Sequence, residues 1–170
     1  VILADGDGRE VGKGFKCEWG TVRQGTLHVG SVGREFMGHG HAQHTRSQYV
    51  KLIDSSSRVL AEDWRTRYEA LRAASGHSAP GFLWHEAALW DASKGEWLFM
   101  PRRASHSADD DEADGQHGSD LMLWASGAEF EQVRVEHVKA ELNPARGFSS
   151  VKLLPDQVDT IVALKTEEVR

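Results

Sequence analysis

The dipeptide Gly-Phe stands at 14–15, 81–82 and 147–148, at spacings of 67 and 66 residues. With 17 Gly and 6 Phe in 170 residues, chance would join them about 0.6 times, so three evenly spaced copies are a period. A period constrains the fold more than any single motif. Each unit is one supersecondary piece that cannot bury its apolar face alone and must stack on its neighbours.

Each copy opens a strand, a turn and a returning strand. The first runs from Phe15 to Val22, turns at Gln24-Gly25 and returns over 26–30. The second runs from Phe82 to Asp91, turns at Ser93-Lys94-Gly95 and returns over 96–100. The third runs from Phe148 to Leu154, turns through Pro155-Asp156 and returns over 159–164. Short apolar or alternating runs broken by Gly, Pro and Asp are hairpin signals. Two more strand-like runs follow in each complete period, 49–54 with 58–61 and 121–125 with 133–138.

Four antiparallel strands per unit predict an all-β propeller blade, since a twisted four-stranded sheet must bury both faces. The units are 14–80, 81–146 and 147–170, with 1–13 ending a preceding blade. The chain is thus expected to be a fragment of about two and a half blades. One short helix is inserted near Asp63 to Gly76, where Trp64, Tyr68, Leu71 and Ser75 share a face and Gly76 stops it.

No apolar run approaches the 18 residues of a membrane span, and mean hydropathy is −0.49. A net charge of −6 runs against a nucleic-acid partner, which would call for a basic face. Cys17 stands alone, so no internal disulfide forms.

Asp5-Gly6-Asp7-Gly8 reads as a tight turn, because a calcium loop starting at Asp5 would need Glu where Lys16 stands. Gly38 to His44 reads as a solvated loop, since Gly-spaced His residues lack the fixed geometry of a zinc site. Asp109 to Glu112 reads as another solvated loop.

Two carboxylates are out of place. Glu18 lies between Cys17 and Trp19, and Glu86 lies in the apolar run from Leu83 to Trp90. Burying a carboxylate is costly without a cation or hydrogen bonds. Glu18 is therefore either exposed on an edge strand or partnered. One period apart, the two can converge on a propeller axis with Ser149, a set of oxygens suited to calcium. Arg102 and Arg103, read at the place where a strand leaves its sheet, suit phosphate oxygens, or else pair with carboxylates of the 108–114 loop.

Several stretches carry a family resemblance. They are Gly12-Lys13-Gly14-Phe15-Lys16-Cys17-Glu18-Trp19, Tyr68 to Ala74, Gly81-Phe82-Leu83-Trp84-His85-Glu86, Leu98 to Ser105, Gly147-Phe148-Ser149-Ser150 and Ile161 to Lys165. In that order they resemble the soluble calcium-activated nucleotidase (apyrase) family over nearly the whole chain.

The resemblance implies a five-bladed propeller with Ca2+ in its tunnel, held in part by Glu18, Glu86 and Ser149. It implies hydrolysis of nucleoside di- or triphosphates such as UDP, GDP, ADP or ATP, with Arg102 and Arg103 binding the substrate. It also implies the secretory pathway or the cell exterior, and a possible homodimer. No general base is assigned, Asp5 and Asp7 being the local contenders. A lactonase- or phosphotriesterase-like propeller and a non-catalytic binding propeller are the alternatives. On this reading Glu86→Ala would weaken calcium binding, whereas Arg102→Ala would spare calcium and lose turnover.

Overall fold

The computed structural model describes residues 2–9, 14–38, 41–108, 116–139, 142–155, 157 and 159–167. In chain order the first strands are β1 (Trp19–Arg23), β2 (Thr26–Gly30), β3 (Phe36–Gly38), β4 (His41–His44), β5 (Tyr49–Ile53) and β6 (Val59–Asp63). Helix α1 (Arg65–Ala74) follows, then β7 (Phe82–Asp91), β8 (Glu96–Ser105), β9 (Leu121–Ser126), β10 (Gln132–His137), β11 (Arg146–Leu153) and β12 (Ile161–Glu167).

The strands form two four-stranded antiparallel sheets, β1-β2-β5-β6 and β10-β9-β8-β7, and two hairpins, β11-β12 and β3-β4. Gln24 and Gly25, both at positive φ, make the two-residue turn between β1 and β2.

The central β7–β10 sheet is covered on both faces. Against one face, Trp19, Val50, Trp64, Tyr68 and Leu71 from the first sheet and helix meet Leu83, Trp97, Phe99 and Leu123. Against the other, Phe148 and Val151 of β11 meet Leu89, Leu98, Met100 and Trp124. Double coverage explains why β7 and β8 read as nearly continuous apolar runs. The outer layers each keep an open apolar face. Val22, Leu27, Ile53 and Val59 stand opposite one another across the first sheet, and Val22 is 58% exposed. On β12, Val162 and Leu164 are likewise exposed.

Helix α1 turns Tyr68 and Leu71 inward together with Trp64 at its start, and Ser75 Oγ donates to the Leu71 carbonyl at its end. Buried Arg72 donates to Glu35 Oε1 at 2.7 Å, tying the helix to the segment after β2.

Four sequence expectations change. Phe15 opens no strand: β1 starts at Trp19, and Gly14 instead bridges Ala4. The returning strand of the third hairpin starts at Ile161, because Asp159 takes a positive φ in the turn. Within 38–44, β3 and β4 pair as a short hairpin rather than an open loop, and the His44 ring lies 5.1 Å from that of Phe36. Arg102 and Arg103 do not mark a strand exit, since β8 continues to Ser105 and both are buried. The acidic run 109–112 and residues 39–40 of the His tract lie outside the described residues.

Candidate functional site

Three of the sequence-predicted site residues occupy breaks in strand register. Between β7 and β8 the pairing steps from Trp84↔Arg103 to His85↔Pro101, which passes over Arg102. It then steps to Ala87↔Met100, which passes over Glu86. Between β11 and β12, Phe148↔Lys165 is followed by Ser150↔Leu164, leaving Ser149 without a counterpart. A bulged residue is released from the regular alternation, so its side chain can be re-aimed.

Arg102 and Glu86 use that freedom to meet. Arg102 Nη1 donates to Glu86 Oε2 at 3.1 Å and to Thr166 Oγ1 at 2.9 Å, and Nη2 donates to the Thr166 carbonyl at 3.2 Å. The Arg102 side chain is 4% exposed and that of Glu86 14%, so this ion pair is largely withdrawn from water. It joins the central sheet to β12, and close approach there requires glycine. A Cβ on Gly147 would run into the Arg102 carbonyl oxygen and Cγ. At Gly81 a Cβ would come within 2.6 Å of the Ser105 carbonyl oxygen. Two of the three Gly-Phe glycines thus mark places where backbones cross tightly.

Glu86 has a second partner, Trp84, whose Nε1 donates to Oε1 at 3.2 Å. Around the Trp84 ring lie Arg103 (5.4 Å), Lys16 (5.7 Å) and Arg34 (6.0 Å). Lys16 Nζ also lies 2.6 Å from Glu18 Oε1, an ion pair without an aligned hydrogen bond to that oxygen. Glu18 is therefore partnered rather than an exposed edge residue, and its backbone N–H donates to the Gly30 carbonyl. Glu86 and Arg103 lie against Trp84, whereas Arg102 is reached from it through Glu86 and Glu18 through Lys16. Ser149 lies two residues beyond Gly147, with its hydroxyl held by a long 3.5 Å bond to the Leu164 carbonyl.

The Asp5 turn borders the same neighbourhood. Gly8 N–H donates to the Asp5 carbonyl at 3.0 Å, which makes it a tight turn, and buried Lys51 donates to the Gly6 carbonyl. A small pocket beside it is lined by Asp5, Lys16, Ser31, Phe36, His44 and Trp84. Asp7 is exposed and accepts from the Arg9 backbone N–H.

Sequence reasoning did not find Trp84, Lys16 or Thr166. The alternation of β7 does place Trp84 and Glu86 two residues apart. That signal was available, but Thr166 is brought in only by the packing of β12.

His85, between them, is fully buried, stacked on Tyr68 at 5.3 Å, and its backbone N–H donates to the Val32 carbonyl. Burial pushes its imidazole down to about 3 from an ordinary 6.5, with Arg72 adding to the effect. Between those values the unfolded chain holds a proton that the folded chain refuses. The stability contributed by neutral His85 is thus complete above pH 6.5 and is lost as pH falls toward 3, at up to about 1.4 kcal/mol per pH unit. Urea unfolding at pH 7 and pH 5 should show a smaller acid penalty for His85→Phe than for the unsubstituted protein.

Among the described residues no three His, Cys, Asp or Glu side chains form a group that could hold a metal. The oxygens singled out in the sequence are the carboxylates of Glu18 and Glu86 and the hydroxyl of Ser149. Carboxylate and hydroxyl oxygens are the donor type that a hard cation takes. Calcium takes 6–8 oxygens, so these three would be part of a larger set.

Fold and site together define an antiparallel β protein that brings a partly buried carboxylate, Glu86, and a buried guanidinium, Arg102, together at bulges of facing strands. The apyrase family model matches residues 1–170, and the chain belongs to that family. It is 44% identical to soluble calcium-activated nucleotidase 1 of Rattus norvegicus over 170 residues, covering 99% of this chain and 41% of that protein. It is 36% identical to apyrase of Cimex lectularius and to apyrase of Phlebotomus duboscqi, again over 99% of this chain, covering 46% and 50% of those proteins. The chain thus spans half or less of the length of these relatives. Among the described residues no helix is long and apolar enough to cross a membrane.

Proposed function

We propose that this chain forms part of a calcium-dependent nucleotide phosphohydrolase. It would cleave nucleoside di- and triphosphates of the UDP, GDP, ADP and ATP class to lower phosphates and orthophosphate. The scaffold proposed is a five-bladed propeller, of which 14–80 and 81–146 are blades and 147–170 begins another. The open apolar faces of the first sheet and of β12 support that reading, as does the share of its relatives that the chain spans. The family reading also favours the secretory pathway or the cell exterior, and homodimers.

The observation that carries the function is the bulged Glu86, partly buried and hydrogen-bonded by both Trp84 and Arg102, with Arg103 next to Arg102 on β8. Glu18, Glu86 and Ser149 would hold the ion. Once bound, calcium would offset charge on the phosphate oxygens and orient the attacking water. Arg102 and Arg103 provide planar guanidinium groups for those oxygens, and Arg102 also fixes Glu86. Hydrolysis breaks the terminal phosphoanhydride bond as water oxygen bonds to phosphorus, and the water proton passes to solvent or to a carboxylate such as Asp5.

The test is orthophosphate release from UDP, GDP, ADP and ATP by the intact protein, with calcium and then with excess chelator. Release from at least one nucleotide, abolished by chelator and restored by calcium, is the expected result. No release from any of the four, or release indifferent to chelator, would remove the proposal.

A further inference from the structure

Glu86 accepts from two donors of different character. Arg102 is a cation anchored across the sheet boundary, whereas Trp84 is a neutral ring two residues back on the same strand. An indole N–H can only donate, so it suits a carboxylate that only accepts. Its position follows from the bulges. A regular strand would set residues 84 and 86 side by side on one face, and the two register steps around His85 bring the Trp84 Nε1 onto Oε1 at 3.2 Å.

The ring has a second set of neighbours. Arg103 is its cross-strand partner, and Lys16 and Arg34 approach from the segments flanking the first hairpin. Phe36 meets it edge-on at 6.2 Å. Each cation stands near the 6 Å limit of the cation–π interaction, so no single contact is strong. Lys16, whose side chain is 69% exposed, lies over the ring and pairs with Glu18 at 2.6 Å. Trp84 therefore touches one carboxylate directly and reaches the other through one lysine.

We propose that Trp84 is a positioning residue for the cation site, fixing the Glu86 carboxylate through its indole N–H and tying Glu18 to the same frame through Lys16. This rests on the calcium reading above. Groups that orient a metal's ligands change its affinity by about 10- to 100-fold when removed.

The test uses the intact protein with Trp84→Phe, which keeps an aromatic ring but deletes the indole N–H, and with Glu86→Gln. Calcium titration by calorimetry should show Trp84→Phe weakened about tenfold, at the lower end of that range. Its melting temperature without calcium should stay close to that of the unsubstituted protein. Labelling the six tryptophans with 5-fluorotryptophan gives a second measurement on the unsubstituted protein. The fluorine signal that Trp84→Phe removes should move on calcium addition, and should stay still in Glu86→Gln.

Unchanged calcium affinity in Trp84→Phe, with Glu86→Gln weakened, would overturn the role of Trp84 and leave the calcium reading standing. A Trp84 fluorine signal unmoved at saturating calcium would do the same. Calcium binding by Glu86→Gln as tight as by the unsubstituted protein would overturn both.

Discussion

Arg102→Ala is expected to lower calcium affinity and nucleotide turnover together, and to destabilise the protein by about 3–5 kcal/mol, as when a buried ion pair loses one partner. The guanidinium meets Glu86 Oε2, Thr166 Oγ1 and the Thr166 carbonyl at once, so its loss leaves a partly buried carboxylate and a β12 carbonyl without those donors. Arg102→Lys should not rescue it. One ammonium cannot reproduce the fork that reaches both strands. The sequence alone suggested separate roles, with Arg102 serving nucleotide and Glu86 serving calcium. A 3.1 Å bond between them makes separation unreachable by this substitution. Urea unfolding and calcium titration of the intact variant check the result, and unchanged calcium affinity would show that the pair does not shape the cation site.

Trp19→Ala is expected to cost about 3–5 kcal/mol, the range for truncating a large buried aromatic residue. The Trp19 ring lies 5.8 Å from Trp64, 6.2 Å from Trp97 and 5.9 Å from Phe99, and Nε1 donates to the Ser31 carbonyl at 3.0 Å. It joins the first sheet, the helix and the central sheet at one point, next in sequence to Glu18. Trp19→Phe should recover much of the stability, because it refills the aromatic cluster and forfeits only the indole bond to Ser31. Equilibrium unfolding of both variants tests this. A loss under 1 kcal/mol for Trp19→Ala would mean that the two sheets are held together elsewhere.

Much of the architecture is legible because it rests on local rules. Turn chemistry at Gln24-Gly25 and Gly95, and the apolar spacing Trp64, Tyr68, Leu71 are decided within a few residues. So is the oddity of a carboxylate inside an apolar strand, which singled out Glu18 and Glu86 before any neighbour was known. The short hairpin at 36–44 escaped notice because its pairing is three and four residues long and draws on the packing of His44 against Phe36.

By itself, then, the sequence determined the period, the four-strand sheets, helix α1 and the two anomalous acids. Each of these depends on residue spacing of two or 3.6, or on a turn residue, and such signals are written in order along the chain. Only the tertiary structure decided what the acids touch. A bulge shifts register by one residue and re-aims a side chain, and a single such step at Glu86, at Arg102 and at Ser149 cannot be read from alternation. The meeting of Arg102 with Thr166, 64 residues away, depends on the packing of one hairpin against another sheet, which no local pattern encodes.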